Sequence, residues 1–201
     1  MAGANVSLKD LPPYLPKAFI AIEDRRFYSH YGVDPVGIAR AAVANLMHRG
    51  VSQGGSTLTQ QLAKNLFLTQ ERTMARKLQE VELALWLERK HSKSEILELY
   101  LNEIYLGFSA YGIAAASLLY FDKSVHELTI AEASYLAALP KAPSTLHPFR
   151  QRERATERFV EPLHDRGAAQ KVLKLWWLLA EHLVGQVRHR VGVAANDSST
   201  R

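Results

Sequence analysis

Two glutamates in the sequence have surroundings that suit different roles in catalysis. Glu23 ends an apolar run, "AFIAI", and aromatic residues follow it within a few positions. Apolar neighbours favour the neutral form of a carboxyl group, which suits proton transfer. Glu80 lies in a segment rich in arginine and lysine, whose positive charges keep a carboxylate ionised. Two carboxylates in such opposed environments are typical of chemistry at a glycosidic carbon.

The segment "GGSTLTQQLAKN", residues 54–65, offers groups that suit a phosphate. Glycine- and hydroxyl-rich loops that lead into a helix present backbone N–H groups to anions, although the spacing of a P-loop is absent here. This segment and the helix predicted after it supply four cations, Lys64, Arg72, Arg76 and Lys77. Such cations suit a pyrophosphate. Beside two carboxylates, they predict sugar transfer from a phosphate leaving group.

A simpler interpretation also fits part of this pattern. Arg72, Arg76 and Glu80 follow one another at intervals of four residues, so they line one stripe of a helix. Ordinary ion pairs on a solvated helix surface would explain that stripe taken alone. They would not explain its combination with Glu23 and the polar segment at 54–65.

Composition limits the classes of protein that the chain can belong to. The chain has 201 residues, of which 47% are apolar, enough for one domain with a substantial core. Its net charge of +5 favours an anionic partner. The absence of cysteine excludes disulfides, thiol catalysis and thiolate metal sites. No signal peptide and no apolar run of membrane-spanning length is recognisable, so we expect a chain that is soluble or lies on a surface.

The elements that must position these residues are predicted to be helices throughout. Apolar spacing and turn residues predict helices over 16–30, 35–50, from about 57, 71–90, 93–106, 111–121 and 130–139. Ser92 with Glu95, and Thr129 with Glu132, have the spacing of capping boxes. In the helix over 71–90, one face collects four apolar residues and is predicted to face the core: Met74, Leu78, Val81 and Leu85. No alternation typical of strands is present, so the fold class is all-α.

Five sequence blocks resemble a known family. They are "AIEDRRFYSHYGVD", "GGSTLTQQLAKN", "RKLQEVELALWLE", "ILELYLNEIYLG" with "AYGIAAASLLYFDK", and "LTIAEASYLAALPKAPSTLHP". In this order they resemble the peptidoglycan glycosyltransferase (transglycosylase) domain of class A penicillin-binding proteins and of monofunctional transglycosylases. The resemblance implies a lysozyme-like helical domain with two lobes around a cleft. It covers about residues 8–150, so we assign 1–158 to a glycosyltransferase domain and 159–201 to a divergent C-terminal segment.

The resemblance also implies an activity and roles for particular residues. The implied reaction polymerises lipid II into glycan strands and releases undecaprenyl pyrophosphate, with Glu23 as the general base. Glu80 would help to hold a divalent cation, Mg²⁺ or Mn²⁺, against the departing pyrophosphate. The implied substrate-binding residues are Asp24, Phe27, Ser56, Gln61, Lys64, Asn65, Arg72, Arg76 and Lys77. Asp24 is expected to orient or cap. His30 is expected to bond the backbone, and Glu88 to be a buried, hydrogen-bonded carboxylate.

The implied partners are lipid II, the nascent glycan strand and a membrane surface, with other cell-wall synthesis proteins as further candidates and no nucleic acid. The implied location is the outer (periplasmic) face of the bacterial cytoplasmic membrane, although no anchor or signal is recognisable. Asp122 stands where the family often has glycine. The main alternative is a truncated, non-catalytic lipid II-binding module. A glycan hydrolase would leave the cations unexplained, and a nucleic-acid binder would leave the glutamates unexplained.

Overall fold

The computed structural model describes residues 5–47, 54–68 and 73–141 of the chain. Within these residues the chain forms seven α-helices: α1 (Tyr14–Glu23), α2 (Pro35–Met47), α3 (Leu58–Phe67), α4 (Met74–Lys90), α5 (Lys93–Glu103), α6 (Gly112–Phe121) and α7 (Ile130–Ala138). Short 3-10 turns cover Leu8–Asp10, Phe27–Ser29, Val125–Glu127 and Leu139–Lys141. In this part of the chain the only β pairing is an isolated bridge between Tyr105 and Tyr111. The predicted all-α class is confirmed.

The core forms around α5, which packs against α3 on one side and α6 on another. Its residues Leu97, Tyr100 and Leu101 are almost completely buried. Phe19 of α1 packs edge-on against Tyr100, with 6.2 Å between ring centroids. Helix α7 is rich in alanine, which lets it pack closely against α1. Helix α1, which ends at Glu23, thus packs against both α5 and α7.

Side-chain caps fix where several helices begin. The two predicted capping boxes, Ser92 with Glu95 and Thr129 with Glu132, are confirmed. A further capping box at the start of α3 was not predicted. Thr57 N donates to Gln60 Oε1 at 2.9 Å, while Gln60 N donates to Thr57 Oγ1 at 3.1 Å. Because these bonds satisfy N–H groups at the helix start, they fix the first turn of α3, which bears several predicted site residues.

The predicted first helix over 16–30 is wrong in its extent, because α1 ends at Glu23 and a separate 3-10 turn follows. Asp24 has a non-helical backbone, with φ −155° and ψ 76°. Its side chain bonds the backbone N–H of Leu58 and the ring of His30. Short polar side chains that bond in this way compete with helix continuation. Glu23 therefore occupies a helix end, beside a loop that turns back on the core.

The predicted core face of α4 is also wrong. Met74 is 80% exposed and Leu78 is 70% exposed, whereas Glu80, Ala84 and Leu87 are buried. The buried face packs on α3 and on the loop after Glu23, and it combines the apolar residues Ala84 and Leu87 with the polar contacts of Lys77 and Glu88. Apolar spacing therefore identified the outer face of this helix.

Smaller departures occur near the C-terminal ends of α5 and α6. Helix α5 ends at Glu103, so Tyr105 lies beyond it, and Gly112 begins α6 with its φ at +76°. A Cβ on Gly112 would lie 2.4 Å from the carbonyl oxygen of Asn102, so only glycine fits this junction. Asp122 ends α6 in the left-handed conformation, with φ +56°. That conformation explains why glycine would suit this position, and why aspartate is tolerated there.

The segment before α1 is fastened to α5 by two polar side chains. Asn102 bonds both backbone groups of Val6, accepting its N–H at 2.9 Å and donating to its carbonyl at 3.0 Å. Glu98 accepts the backbone N–H of Leu8 at 2.6 Å.

Among the helices that the structure describes, none combines the length and the apolar character needed to cross a bilayer.

Candidate active site

Glu23 is half-buried at the C-terminal end of α1, and its side chain contacts α3. Gln61, in the first turn of α3, donates from Nε2 to Glu23 Oε2 at 2.9 Å. The Tyr100 hydroxyl on α5 lies 3.2 Å from Oε1 of the same amide. Burial, together with the negative charges of Glu23 and Asp24, raises the pKa of the Tyr100 phenol well above its ordinary value. A neutral phenol therefore donates to Gln61, which in turn donates to Glu23.

Asp24 fastens the end of α1 to the start of α3. Its Oδ2 accepts the backbone N–H of Leu58 at 3.0 Å and lies 2.8 Å from Nε2 of His30. Both Asp24 and His30 are buried. A carboxylate at a helix N-terminus satisfies a free N–H group and interacts favourably with the helix dipole. The expected backbone partner for the His30 ring is wrong, because this carboxylate is its partner.

Phe27 supports the same loop from inside the protein. It is fully buried, and the Lys93 ammonium group lies 4.5 Å from the centroid of its ring. Like Asp24, Phe27 is enclosed by the protein, and both help to position the loop after Glu23. Their predicted contact with substrate stays a prediction.

Gly32 brings this loop against α4. Its φ is +88°, and a Cβ at this position would lie 2.9 Å from the carbonyl oxygen of Ala84. The Thr57 hydroxyl donates to the Gly32 carbonyl at 2.6 Å. A glycine is required here both by the backbone conformation and by the close approach. The sequence pattern did not single out Gly32 or Thr57 for this contact between the loop, α3 and α4.

The cationic side of the site begins at Ser56, the residue before Thr57, which caps α3. Lys77, in the first turn of α4, donates to Ser56 Oγ at 2.8 Å and also donates to Glu80 Oε1. Glu80 is 3% exposed, so water can do little to balance its charge. The ion pair with Lys77 balances it instead. Residues 56–61 therefore contact both predicted halves of the site, with Gln61 touching Glu23 and Ser56 touching Lys77.

The remaining predicted phosphate-binding residues lie on the same two helices. Lys64 is half-buried and Asn65 is exposed in the second turn of α3, and Arg76 is half-buried in the first turn of α4. Arg72 lies outside the described residues. An open cleft of about 880 Å³ lies between the end of α3 and α4, lined by Phe67, Leu68, Thr73, Ala75, Arg76, Gln79, Glu82, Leu83 and Trp86.

Glu88 stabilises the packing of α4 on α3. Thr59 Oγ1 donates to Glu88 Oε1 at 2.7 Å, and Lys93 Nζ bonds the same oxygen at 2.7 Å. The Glu88 side chain is 5% exposed. The prediction that it is a buried, hydrogen-bonded carboxylate is confirmed. Two buried carboxylates of α4, Glu80 and Glu88, thus pair with lysines on either side of its contact with α3.

Comparisons with known proteins agree with the sequence blocks. The family model described as Transglycosylase matches residues 2–165. The chain is 55% identical over 153 residues to penicillin-binding protein 1A of Aquifex aeolicus, covering 76% of this chain and 21% of that protein. Penicillin-binding protein 1A of Escherichia coli is 56% identical over 153 residues, covering 76% and 18%. Penicillin-binding protein 1F of Bacillus subtilis is 48% identical over 166 residues, covering 81% and 23%.

The chain belongs to the transglycosylase family. It spans about a fifth of the length of these curated relatives. A crystal structure of penicillin-binding protein 1A from Haemophilus influenzae matches with a TM-score of 0.46 and 28% identity, covering 86% of this chain and 17% of that chain. The resemblance expressed by the five sequence blocks is confirmed.

Proposed function

We propose that this chain is a peptidoglycan glycosyltransferase that polymerises lipid II, a disaccharide-pentapeptide carried on undecaprenyl pyrophosphate. One observation carries the proposal: residues 56–61 connect Glu23, through Gln61, with Lys77 and Glu80, through Ser56. A candidate base and a lysine–carboxylate pair are thus attached to one short stretch of a chain of the transglycosylase family. Sugar transfer from a pyrophosphate needs both.

In the proposed reaction, Glu23 is the general base. The 4-hydroxyl of the acceptor sugar attacks the anomeric carbon of the growing strand, and its proton passes to the Glu23 carboxylate. A new bond forms between the acceptor oxygen and the anomeric carbon. The bond from that carbon to the pyrophosphate oxygen breaks, and its electron pair leaves with undecaprenyl pyrophosphate. Gln61 holds Glu23 Oε2, which limits rotation of the carboxylate.

Lys64, Arg72, Arg76 and Lys77 are proposed to bind the pyrophosphate. Lysine acts as a mobile point charge on phosphate, whereas arginine offers two parallel donors. Ser56 and Asn65 are proposed as polar donors to sugar and phosphate. Cations close to the departing group stabilise the negative charge that develops on it in the transition state.

We also propose that Glu80 helps to bind a divalent cation, Mg²⁺ or Mn²⁺. In the described ranges, no three side chains of histidine, aspartate or glutamate come together as metal ligands. One carboxylate is enough where Mg²⁺ is bound together with substrate phosphates, and here the ion would share Glu80 with Lys77, which donates to its Oε1. When bound, such an ion neutralises charge on the phosphate leaving group.

The proposed partners are lipid II, the nascent glycan strand and other cell-wall synthesis proteins, at the outer face of the cytoplasmic membrane. Helix α2 supports contact with a membrane surface, because it exposes several apolar residues: Val36, Ile38, Val43, Leu46 and Met47.

The proposal is tested by incubating the full chain with fluorescent lipid II, detergent and Mg²⁺, and separating the products by size. We expect a ladder of glycan polymers that moenomycin abolishes. Binding of lipid II without any polymer would favour the non-catalytic binding module. Shortening of preformed glycan, with new reducing ends, would favour a hydrolase. Glu23→Gln should abolish the ladder. Glu103→Gln is its matched control, because Glu103 is also the last residue of a helix, α5, and polymer formation should survive that substitution.

A further inference from the structure

A chain of two hydrogen bonds connects the core helix α5 to Glu23. The Tyr100 hydroxyl lies 3.2 Å from Gln61 Oε1, and Gln61 Nε2 lies 2.9 Å from Glu23 Oε2. The Tyr100 residue is fully buried, and its ring packs against Phe19, one turn before Glu23 on α1. Three helices therefore contribute one member each to this chain. The Tyr100 side chain lies among apolar neighbours, so its buried hydroxyl needs a hydrogen-bond partner.

The direction of the two bonds follows from the chemistry of the groups. The charged groups that act on the phenol are Glu23 and Asp24, both at the end of α1, and with burial they keep it protonated. A protonated phenol donates, so it selects the oxygen of the Gln61 amide, and the NH₂ group must then face Glu23. In the opposite orientation the amide oxygen would face a carboxylate oxygen. That arrangement has no proton to share and is repulsive.

We propose that Tyr100 is a positioning residue for the reaction: through Gln61 it fixes the orientation of the Glu23 carboxylate. The inference rests on the proposed function, because it assigns Tyr100 a part in holding the base of that reaction. Tyr100 does not touch the reacting atoms in this scheme. Its hydroxyl prevents the amide from turning, and the amide holds Oε2 of the base. A base held in one orientation is presented to the acceptor hydroxyl without a search among rotamers.

The test is the substitution Tyr100→Phe in the full chain, which removes the hydroxyl and keeps the ring. We expect kcat for lipid II polymerisation to fall roughly tenfold, with KM changed less than about twofold, because orientation is lost and not binding. We also expect the acidic limb of the kcat–pH profile to move upward by about half a pH unit or more, because a carboxylate that loses a steady donor holds its proton more tightly. A merely structural role would not move that limb.

Tyr120→Phe is the matched control. Tyr120 is also a buried tyrosine, and its hydroxyl donates to the Leu106 carbonyl at 2.7 Å, away from Glu23 and Gln61. We expect this variant to lose stability on thermal unfolding while its kcat and pH profile match the wild type. Circular dichroism of both variants checks that each is folded.

A double-mutant comparison separates action through Gln61 from other effects. In a Gln61→Met background, Tyr100→Phe should change kcat less than about twofold, because the amide it orients is gone. An equal loss of kcat in both backgrounds would overturn the inference, as would a Tyr100→Phe enzyme with unchanged kcat and pH profile. If the wild-type protein polymerises lipid II but the Tyr100→Phe variants do not show the expected changes in kcat and pH profile, the proposed function stands and the inference falls. If the wild type forms no polymer, both fall.

Discussion

At the scale of single residues, the Lys77 side chain connects the cationic side of the site to the core. It donates to Ser56 and to the buried carboxylate of Glu80. Lys77 itself is 39% exposed, so water weakens the contribution of its charge, but Glu80 has little access to water. Removing Lys77 would leave a buried carboxylate without its cation, which costs more than loss of an exposed pair.

We therefore predict that Lys77→Met lowers the free energy of unfolding by about 1–2 kcal/mol. In a Glu80→Gln background the same substitution should cost less than about 0.5 kcal/mol, because a neutral amide needs no cation. Urea unfolding of the four proteins measures both values. Equal losses in the two backgrounds would show that Lys77 stabilises the fold by some route other than Glu80.

Individual residue contacts also explain why parts of the site could not be predicted from the sequence. The paired environments of Glu23 and Glu80 were visible as local composition. The contact of Gln61 with Glu23, and the cap that Asp24 gives to Leu58, join residues more than thirty positions apart. Nothing in local spacing specifies such pairs, because they depend on how α1 and α3 pack. The requirement for glycine at position 32 could not be predicted either, because it depends on how closely the Ala84 carbonyl approaches in the folded protein.

At the scale of elements, helix starts were predictable because capping is local. Ser92 with Glu95 and Thr129 with Glu132 specify their own helix starts within four residues. The face of α4 was not predictable, because its buried side joins two apolar residues, Ala84 and Leu87, with carboxylates whose partners lie on other parts of the chain. Met74 and Leu78 gave the stronger periodic signal and yet lie in solvent. Burial of polar groups for a site can outweigh the apolar pattern of a helix.

The cap of α7 carries a prediction about pH. Glu132 is buried, and burial alone would raise its pKa, but the bonds from Lys123 and Thr129 outweigh that effect and hold the pKa below its ordinary value. A carboxyl whose pKa is lower in the folded state binds its proton more weakly there than in the unfolded chain. Its contribution to stability is therefore present above the unfolded pKa of 4.5 and is lost as the pH falls through the lower, folded pKa.

We predict that Glu132→Gln lowers the free energy of unfolding at pH 7 and that its difference from wild type shrinks as the pH falls below about 4.5. Lys123→Met should also make the free energy of unfolding depend less on pH. Lys123 Nζ lies 2.7 Å from Glu132 Oε1 and helps to lower the pKa of that carboxyl group. Urea unfolding at pH 7, 5 and 3 supplies the comparison. A Glu132→Gln difference that stays constant across this range would contradict the assignment.

At the scale of the whole molecule, charge and exposed apolar surface favour attraction to an anionic membrane. The net charge is +5, and Leu46 and Met47 at the end of α2 are 81% and 78% exposed. Exposed apolar residues on a helix insert at the boundary of headgroups and acyl chains, and basic charge adds attraction to anionic lipids. The prediction of a membrane surface as partner can thus be tested without substrate.

We predict that the full chain sediments with vesicles containing phosphatidylglycerol and less with vesicles of phosphatidylcholine alone. Leu46→Glu combined with Met47→Glu should lower binding to the anionic vesicles by roughly tenfold or more, because two apolar contacts become charged. Leu118→Glu combined with Leu119→Glu is the matched control, since both leucines are exposed on α6, at 55% and 43%. Equal losses from both substitutions would reject α2 as the membrane-facing element.

The role of Glu23 as the base is tested most directly by measuring binding and turnover of labelled lipid II by Glu23→Gln, with wild type beside it. Glutamine keeps the shape of the side chain and removes the proton acceptor. We predict that the dissociation constant changes less than about threefold while turnover falls at least about a hundredfold. Turnover within tenfold of wild type, or binding lost together with turnover in a folded protein, would contradict the assignment of Glu23.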